Sequence, residues 1–219
     1  MDKTEAIVGQ LVGTYRPKAI ALVGSRATGS ATRFSDWDMV MLVDRPVDGP
    51  TRQIIADEFV DVEFKNLPLA PDFIFRSFVG PHEFVKPLYD PEGLLPPLIE
   101  RTRDVYQTGP DPLSGQETAL RRLRLQKAVL RLSETRNLPE VFMFMLSEIY
   151  WDMIVRFWFE LRNEWPKKGP SGFAYIHAQD PAYYNRLQTL ASNTALQTKY
   201  EACEWIYSRL FEKTAPEAL

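Results

Sequence analysis

The sequence predicts a mixed α/β (α+β) fold, in which a small mixed β-sheet domain is followed by an all-helical domain. In the first half, short apolar runs such as 20–23 and 39–43 are typical of strands. In the second half, apolar residues recur at helical spacing. Between the halves, residues 108–115 contain two prolines and two glycines, as a connection between domains often does. We therefore expect a first domain at residues 1–108 and a helical domain at residues 116–219.

The elements of the first domain follow from local patterns. Apolar residues three or four positions apart predict helices, and alternating or continuous apolar runs predict strands. Pro87 lacks the N–H group that a sheet ladder needs, so its strand is expected at an edge of the sheet. In chain order we predict a helix over 3–15, a strand over 20–23, a turn or short helix over 26–30, a strand over 36–43, a strand over 59–64, a helix over 71–79, a strand over 84–90 and a helix over 94–105.

The second domain is predicted to consist of helices. Residues 117–136 form a basic amphipathic helix, whose charged face is either solvated or a docking surface for an anionic substrate or partner. Asn137 is the expected N-cap of the next helix, because Pro139 suits a first turn. That helix continues through 141–161, the most apolar segment of the chain. Further helices are expected from Asp180 onward and over 200–211.

The composition is that of an ordinary globular protein, with 45% hydrophobic and 25% charged residues among 219. The formal net charge of -3 disfavours a general nucleic-acid binder, which would carry a strong basic excess, and it suits a small or locally docked ligand. Cys203 is the only cysteine, which excludes an intramolecular disulfide and a four-cysteine zinc site. The N-terminal residues do not resemble a secretory signal, and no apolar run reaches the roughly 18 residues of a membrane span. We expect a cytoplasmic protein.

Two carboxylates lie at the start of the predicted strand over 36–43. Side chains two residues apart in a strand point to the same face, so Asp36 and Asp38 are expected side by side. Adjacent carboxylates repel unless a cation lies between them, and Mg²⁺ suits this position because it prefers hard oxygen ligands and substrate phosphates. The preceding strand ends at Gly24 and Ser25, where the absent Cβ lets a phosphate approach backbone N–H groups and the hydroxyl. These features together outline a site for a nucleoside triphosphate and a metal ion.

A third carboxylate is available on the predicted strand over 59–64. The strict alternation of this strand places Asp61 and Glu63 on one face, so either of them is able to join Asp36 and Asp38. Three carboxylates on two strands suit two-metal catalysis, in which the ions stabilise the attacking and leaving oxygens of an in-line displacement. The residues therefore predict a site for two Mg²⁺ ions.

A resemblance to a known superfamily lies in the stretch GSRATGSATRFSDWD, which is similar to the Gly-Ser and Asp-x-Asp signature of the DNA polymerase β-like nucleotidyltransferases. Within that superfamily, residues 60–64 resemble the third-acid strand of the antibiotic nucleotidyltransferases, such as the kanamycin and lincosamide enzymes, and this alignment favours Asp61. The ten-residue gap between Ser25 and Asp36 is also that of the minimal nucleotidyltransferases, which include the antitoxins paired with HEPN toxins. Trp37 departs from the pattern, because small or β-branched apolar residues are usual at this position.

The resemblance implies transfer of a nucleoside monophosphate, with AMP from ATP favoured, to a hydroxyl of a small-molecule acceptor, and release of pyrophosphate. It further implies that Asp36 and Asp38 hold both Mg²⁺ ions and that Asp61 completes the ion that activates the acceptor. Glu63 would be a supporting or alternate ligand. ATP would be a substrate of this reaction and Mg²⁺ its cofactor.

The nucleotide side of the site involves residues of both predicted domains. Gly24 and Ser25 are expected to cradle the β and γ phosphates. Arg26 could reach the triphosphate, although a solvated arginine is the alternative. A helical-domain lysine contacts the triphosphate in related enzymes, so Lys167 or Lys168 is a candidate to neutralise the departing pyrophosphate. The alternative is that both are solvated loop lysines.

A base for the acceptor hydroxyl is also implied by the resemblance. In the antibiotic nucleotidyltransferases a helical-domain glutamate has this role, which makes Glu148 the candidate here. Its position four residues before Asp152 and eight before Arg156 suggests a structural alternative, in which Glu148 or Asp152 forms an ion pair with Arg156.

Two other functions are consistent with the same residues. An antitoxin-type enzyme would transfer AMP to a protein side chain, and a non-catalytic nucleotide-binding module would keep the site without turnover. The acceptor itself is open among an aminoglycoside, a lincosamide, a nucleoside and a peptide, and a homodimer is also open.

Overall fold

In the computed structural model, which describes residues 2–77 and 80–211, the chain divides into two units, Met1–Thr108 and Gly109–Leu219. Unit 1 is built around a five-stranded sheet, and the described part of unit 2 is folded into helices. The expectation of a mixed α/β fold with a helical second half is confirmed. Along the described ranges, no helix combines the length and the apolar character needed to cross a lipid bilayer.

The helices and strands of unit 1 largely follow the predicted order. Its helices are α1 (Lys3–Tyr15), α2 (Gly24–Thr28) and α3 (Leu95–Thr108). Its strands are β1 (Ala19–Val23), β2 (Trp37–Val43), β3 (Arg52–Ile55), β4 (Glu58–Asn66), β5 (Arg76–Ser77), β6 (Gly80–Pro81) and β7 (Lys86–Tyr89). Asp2 caps α1 by accepting a hydrogen bond from the backbone N–H of Thr4, at 3.4 Å.

The main sheet has the strand order β3-β4-β2-β1-β7. β2 and β4 run parallel, and the other neighbours are antiparallel. β7 lies at one edge, which confirms the position expected from Pro87. The register pairs Asp38 with Val23 on one side and with Asp61 on the other, so the acidic segments of β2 and β4 are adjacent.

Each face of this sheet packs against its own set of apolar residues. Met39 and Met41 of β2 belong to the face that buries Ile7 and Leu11 of α1. Val40 belongs to the opposite face, together with residues that include Phe75 and Leu95. Because strand residues alternate between faces, Asp38 lies on the same face as Val40. One face of the sheet is therefore covered by α1. On the other face, the acidic residues lie at the start of β2, next to its apolar residues.

The hairpin formed by β3 and β4 is not among the elements predicted from the sequence. Ala56 and Asp57 connect the two strands with positive φ angles of 52° and 60°. A two-residue connection with both φ angles positive matches the right-handed twist of paired strands. The hairpin places Arg52 opposite Asp61, which adds a cation to the acidic edge of β4.

The predicted helix over 71–79 is wrong. Instead, Arg76–Ser77 forms strand β5, which pairs with β6, and residues 78 and 79 lie outside the described ranges. The physical reason is a tertiary hydrogen bond: the backbone N–H of Phe75 donates to Oγ1 of Thr102 at 3.0 Å. Because the Phe75 side chain is buried beneath the sheet, this contact holds the segment extended against α3.

The described residues of unit 2 bury a cluster of large apolar side chains. Its α-helices are α4 (Gly115–Glu134), α5 (Pro139–Ile149), α6 (Arg156–Glu160), α7 (Gly169–Gln179), α8 (Pro181–Ala191) and α9 (Leu196–Phe211), and Tyr150–Val155 is π-helical. Trp158 and Tyr183 are fully buried in the cluster. Cys203 is buried there as a free thiol, as expected. Asp180 caps α8 by accepting a hydrogen bond from the Tyr183 N–H, which confirms the predicted helix start.

Two expectations for unit 2 are wrong in detail. Asn137 is not the N-cap of α5, because the helix begins one residue later and has Leu138 at that position, without a side-chain cap. Arg156 does not pair with Glu148 or Asp152. Its Nε donates to Oε1 of Glu160 at 2.6 Å instead. The π-helical segment before Arg156 changes the helical phase, so the stripe expected for a continuous α-helix does not form.

Candidate functional site

Gly24, the first residue of α2 directly after β1, has its backbone against the side chain of Asp38. Gly24 has a φ of 70°, a left-handed conformation that favours glycine. A Cβ atom on Gly24 would lie 3.0 Å from Cγ of Asp38 and still closer to its Oδ2. The absent side chain is therefore what lets the Gly24–Ser25 turn approach the carboxylate.

Three carboxylates are brought together beside this turn. Asp38 lies directly opposite Asp61 in the parallel pair of β2 and β4, and Asp36 immediately precedes β2. Partial burial, followed by the charges of Asp36 and Asp61, raises the pKa of the Asp38 carboxyl to about 6. The three acidic groups expected from the sequence thus interact electrostatically, and their combined negative charge favours a bound cation.

The cation that contacts Asp61 in this structure is an arginine. Nε of Arg52 lies 3.1 Å from Oδ2 of Asp61, and the Arg52 side chain is 85% exposed. Among the described residues, no group of three or more acidic, histidine or cysteine side chains is arranged to hold a metal ion. The donor set nevertheless fits Mg²⁺, because it consists of hard carboxylate oxygens, and Arg52 is a solvent-exposed partner that is inexpensive to displace.

The two candidates for the third acid have different surroundings. Asp61 is opposite Asp38 and affects its pKa, whereas Glu63 is opposite Val40, two residues further along the sheet. Glu63 forms an ion pair of 2.5 Å with Lys65. These contacts favour Asp61 over Glu63 as the partner of the Asp36 and Asp38 carboxylates.

The Arg26 side chain is engaged by the segment that leads into β2. Its Nε donates to the carbonyl oxygen of Asp36 at 3.0 Å, and its Nη2 donates to that of Ser35 at 2.6 Å. Nη2 also donates to Oε2 of Glu58 at 2.9 Å, and the guanidinium lies 4.4 Å from the centroid of the Trp37 ring. Arg26 therefore ties α2 to the backbone of the first catalytic-site candidate, Asp36.

Glu58 is the acidic centre of the same network. It accepts a hydrogen bond from Nε1 of Trp37 at 3.2 Å and forms an ion pair with Lys3 of α1. The contact with Lys3, the Trp37 hydrogen bond and the nearby Arg26 hold the pKa of Glu58 below its usual range. The unusual Trp37 is thus explained, because its ring is buried and its N–H group has an acceptor.

Arg52 and Glu58 are the two residues that the sequence analysis missed. A weak signal for Arg52 was the strand-like segment 52–55 before a polar turn. Glu58 had no local signal, because its partners Lys3 and Arg26 are 55 and 32 residues away in the chain. Long-range contacts of this kind become visible only when the strand order is known.

The remaining candidates lie in unit 2. Glu148 is exposed and lines a groove of about 350 Å³ with the basic residues Arg124, Lys127 and Arg131. Nζ of Lys168 lies 5.6 Å from the Trp151 ring centroid. The roles of Glu148, Lys167 and Lys168 toward the carboxylates of unit 1 stay predictions.

Unit 1 thus combines a mixed sheet with a glycine turn packed against Asp38, with Asp38 and Asp61 on parallel neighbouring strands and Asp36 just before β2. In the comparison with protein families, residues 1–90 match the nucleotidyltransferase domain family. This range contains Gly24, Asp36, Asp38 and Asp61. Residues 1–90 are therefore similar to a nucleotidyltransferase domain, in agreement with the resemblance of the sequence to the DNA polymerase β-like superfamily.

Among solved structures, the chain is similar to a nucleotidyltransferase-like protein from Exiguobacterium sibiricum 255-15. The sequence identity is 13% and the TM-score 0.46, over 97% of this chain and 76% of that one. A likeness of this size says nothing about substrates. No curated protein matches the chain.

Proposed function

We propose that this protein is a Mg²⁺-dependent nucleotidyltransferase that moves AMP from ATP to a hydroxyl group of a small-molecule acceptor and releases pyrophosphate. The observation that supports the proposal most directly is the meeting of the Asp36, Asp38 and Asp61 carboxylates beside the Gly24 turn. Such concentrated negative charge is costly for a folded protein unless a cation and phosphates use it.

Two Mg²⁺ ions fit this donor set. In the proposal, Asp36 and Asp38 would hold the ions and Asp61 would help to hold the one on the acceptor side, with Glu63 as the alternate ligand. When bound, the ions would supply stabilisation of the negative charge that develops on the phosphoryl oxygens. Asp61 would exchange Arg52 for metal, because both are cations and the arginine is largely exposed.

The residues of the chain bind and orient the reactants. Gly24 leaves room for the triphosphate, and Ser25 offers its hydroxyl and backbone N–H to the β and γ phosphates. The hydrogen bonds of Arg26 to the Ser35 and Asp36 carbonyls support a positioning role for this arginine more than a phosphate contact. Its proposed function is to hold the Asp36 segment in place.

The proposed reaction forms a bond between the acceptor oxygen and the α-phosphorus and breaks the bond from that phosphorus to the bridging oxygen of pyrophosphate. Glu148 is the proposed base that takes the hydroxyl proton, and its exposure leaves it accessible. Lys167 or Lys168 is the proposed partner of the departing pyrophosphate. Positioning and charge stabilisation would supply most of the rate enhancement.

A thermal-shift experiment tests the nucleotide site directly. The purified protein is heated with each of the four nucleoside triphosphates, with and without Mg²⁺. A ligand at a hundred times its dissociation constant stabilises the folded state by about 2.7 kcal/mol. We expect Mg²⁺-ATP to give the largest shift and ATP without metal to give little.

The variants Asp38→Asn and Asp48→Asn make a matched pair for this experiment. Asp48 is an exposed aspartate of the same unit, outside the carboxylate cluster. We expect the Mg²⁺-ATP shift to disappear in Asp38→Asn and to persist in Asp48→Asn. An unchanged shift in Asp38→Asn would exclude the proposed metal site. A normal shift without pyrophosphate release for any alcohol would instead favour a protein acceptor or a non-catalytic module.

A further inference from the structure

The sheet face that carries Asp61 continues into an open groove of about 530 Å³, which we call the β3–β4 groove. Its lining includes two of the carboxylates, one arginine, one glutamine and several apolar residues. The main lining residues are Phe34, Asp36, Arg52, Ile54, Phe59 and Asp61. The groove therefore shares Asp36 and Asp61 with the candidate metal site.

Three large apolar side chains of this groove are exposed. Phe34 is 80% exposed, Phe59 70% and Ile54 67%. Covering such side chains with an apolar ligand is favourable, because it removes apolar surface from water. Exposed apolar residues that cluster beside polar groups, as these do, are typical of a ligand-binding site.

The register of the hairpin orders the groove from an apolar end to an acidic end. Ile54 pairs with Phe59, and the next pair on the same face is Arg52 with Asp61. Two residues along a strand span about 7 Å. Consider a ligand whose apolar body covers Phe59 and carries a substituent on a short chain. That substituent would lie near the Asp61 carboxylate.

The strand order separates this groove from the glycine turn. β1, which leads into the Gly24–Ser25 turn, lies on one side of β2, whereas β4 and β3 lie on the other. In the proposed function, the triphosphate uses the glycine side. The β4 side, where Asp61 lies, is then left for the acceptor.

We propose that the β3–β4 groove binds the acceptor, and that this acceptor is a small molecule that carries its hydroxyl on an aromatic or aliphatic body. This inference rests on the proposed nucleotidyl transfer and names its substrate class. A polycationic aminoglycoside is disfavoured, because the Mg²⁺ ions would neutralise the Asp36 and Asp61 carboxylates, and Arg52 in the lining and Arg33, 4.4 Å from the Phe34 ring centroid, would then repel it. A sugar-like acceptor would also leave polar groups against apolar side chains without hydrogen bonds.

The test uses naphthaleneethanol, a fluorescent alcohol with an apolar body, as the probe. Its affinity is measured by fluorescence anisotropy in the presence of Mg²⁺ and the non-transferable analogue α,β-methylene-ATP. We expect binding to weaken about fivefold or more in Phe59→Ser and in Ile54→Ser, because each loses exposed apolar contact area. Both side chains are exposed, so the fold should tolerate these changes.

Phe144→Ser is the matched control, because Phe144 is 67% exposed on α5 and lies outside the groove. We expect it to bind the probe as the wild type does. Equal probe affinity in Phe59→Ser and in the wild type would overturn the inference. Displacement of the probe by α,β-methylene-ATP would also overturn it, because the groove would then belong to the nucleotide.

A paramagnetic measurement tests the orientation of the probe. With Mn²⁺ in place of Mg²⁺, the hydroxymethyl protons of naphthaleneethanol should broaden more than the ring protons. Stronger broadening of the ring protons would overturn the acceptor role. Mn²⁺ binding itself is measured separately by electron paramagnetic resonance, so a wild-type protein that binds the probe without binding Mn²⁺ refutes the proposed function rather than the groove.

Discussion

Gly24 and Asp38 are packed so closely that any side chain on the glycine would overlap the carboxylate. We predict that Gly24→Ala abolishes the Mg²⁺-ATP thermal shift, because the new methyl group must displace the Asp38 side chain. The left-handed conformation of Gly24 adds a stability loss of about 1 kcal/mol. Both effects are measured in one thermal-shift series with and without nucleotide.

Gly29→Ala separates these two effects. Gly29 has a similar φ of 79°, but a Cβ atom there would meet nothing within 4 Å. This variant should lose a similar amount of stability and keep the full nucleotide response. If both variants lost the nucleotide response, the cause of the loss would be strain in α2 rather than the contact with Asp38.

The raised pKa of Asp38 predicts how stability depends on pH in the absence of metal. The folded protein holds this proton more tightly than the unfolded chain, whose carboxyl titrates near 3.8, against about 6 in the folded state. The stabilising contribution is therefore fully present below about pH 4 and is lost as the pH rises through 6. Asp38→Asn, which cannot ionise, should melt higher than the wild type at pH 7.5.

The expected advantage of Asp38→Asn is about 1 kcal/mol after solvent screening, or about 2–4 °C in Tm, and it should vanish below pH 4. Melting curves from pH 4 to pH 8 without divalent ions measure it. Metal binding needs the ionised carboxylate, so the Mg²⁺ affinity of the wild type should fall as the pH drops below about 6. An equal Tm difference at all pH values would exclude the titration of Asp38 as its cause.

The contacts of Arg26 predict that it acts through Asp36. Arg26→Lys removes the planar fork that reaches two carbonyl oxygens and Glu58 at once. We expect the free energy of unfolding to fall by about 1–2 kcal/mol and the rate of nucleotidyl transfer to fall about tenfold. Denaturant titration and pyrophosphate release measure the two effects.

The affinity for Mn²⁺ distinguishes positioning from a general loss of stability. Arg26→Lys should weaken Mn²⁺ binding even at temperatures where the protein is fully folded. Arg45→Lys, at an exposed position of the same unit, should change none of the three quantities. If the Mn²⁺ affinity of Arg26→Lys equals that of the wild type, Arg26 has no positioning role.

A buried lysine predicts a stability effect in unit 2. Lys199 is 3% exposed, and its Nζ donates to the carbonyl oxygens of Leu190 and Ser192 at 2.5 Å each, at the end of α8. Lys199→Met keeps the apolar stem but leaves these carbonyls without the donor. We expect the free energy of unfolding to fall by about 2 kcal/mol.

The exposed Lys127 provides the comparison for this effect. Lys127→Met should change the free energy of unfolding by less than about 0.5 kcal/mol. Urea titration followed by far-ultraviolet circular dichroism measures both variants. A loss in Lys199→Met no larger than in Lys127→Met would mean that water replaces the ammonium donor at little cost.

The strands of the candidate site could be predicted because their signals are local. The apolar run that ends at Gly24 and the alternation around Asp61 each fix a strand and its phase, and strand phase decides which face a carboxylate shares. The edge position of β7 followed from Pro87 alone. The grouping of Asp36 and Asp38 with Asp61 then needed only that their strands be neighbours.

The parts that could not be predicted depend on contacts between distant segments. Pro71 and Asp72 suit the first turn of a helix, but a hydrogen bond from the Phe75 N–H to Thr102 and burial of the Phe75 ring hold the segment extended. Glu58 is defined by partners on α1 and α2 that no local pattern connects to it. Arg156 was assigned the wrong partner because the sequence pattern carries no sign of the π-helical turns before it.

The helical run from Pro139 to Glu160 contains the π-helical segment Tyr150–Val155, which has one residue more than the same length of α-helix would need. Deleting the exposed Asp152 would let the run close into continuous α-helix, while the flanking Phe142 and Trp158 keep facing the core. Deletion of one residue within α5 would instead rotate the residues on one side of the deletion by about 100° about the helix axis relative to those on the other side. Either Phe142 or Trp158 would then be exposed. Within the described residues of unit 2, this segment is thus a place where the chain can shorten without a change of interior.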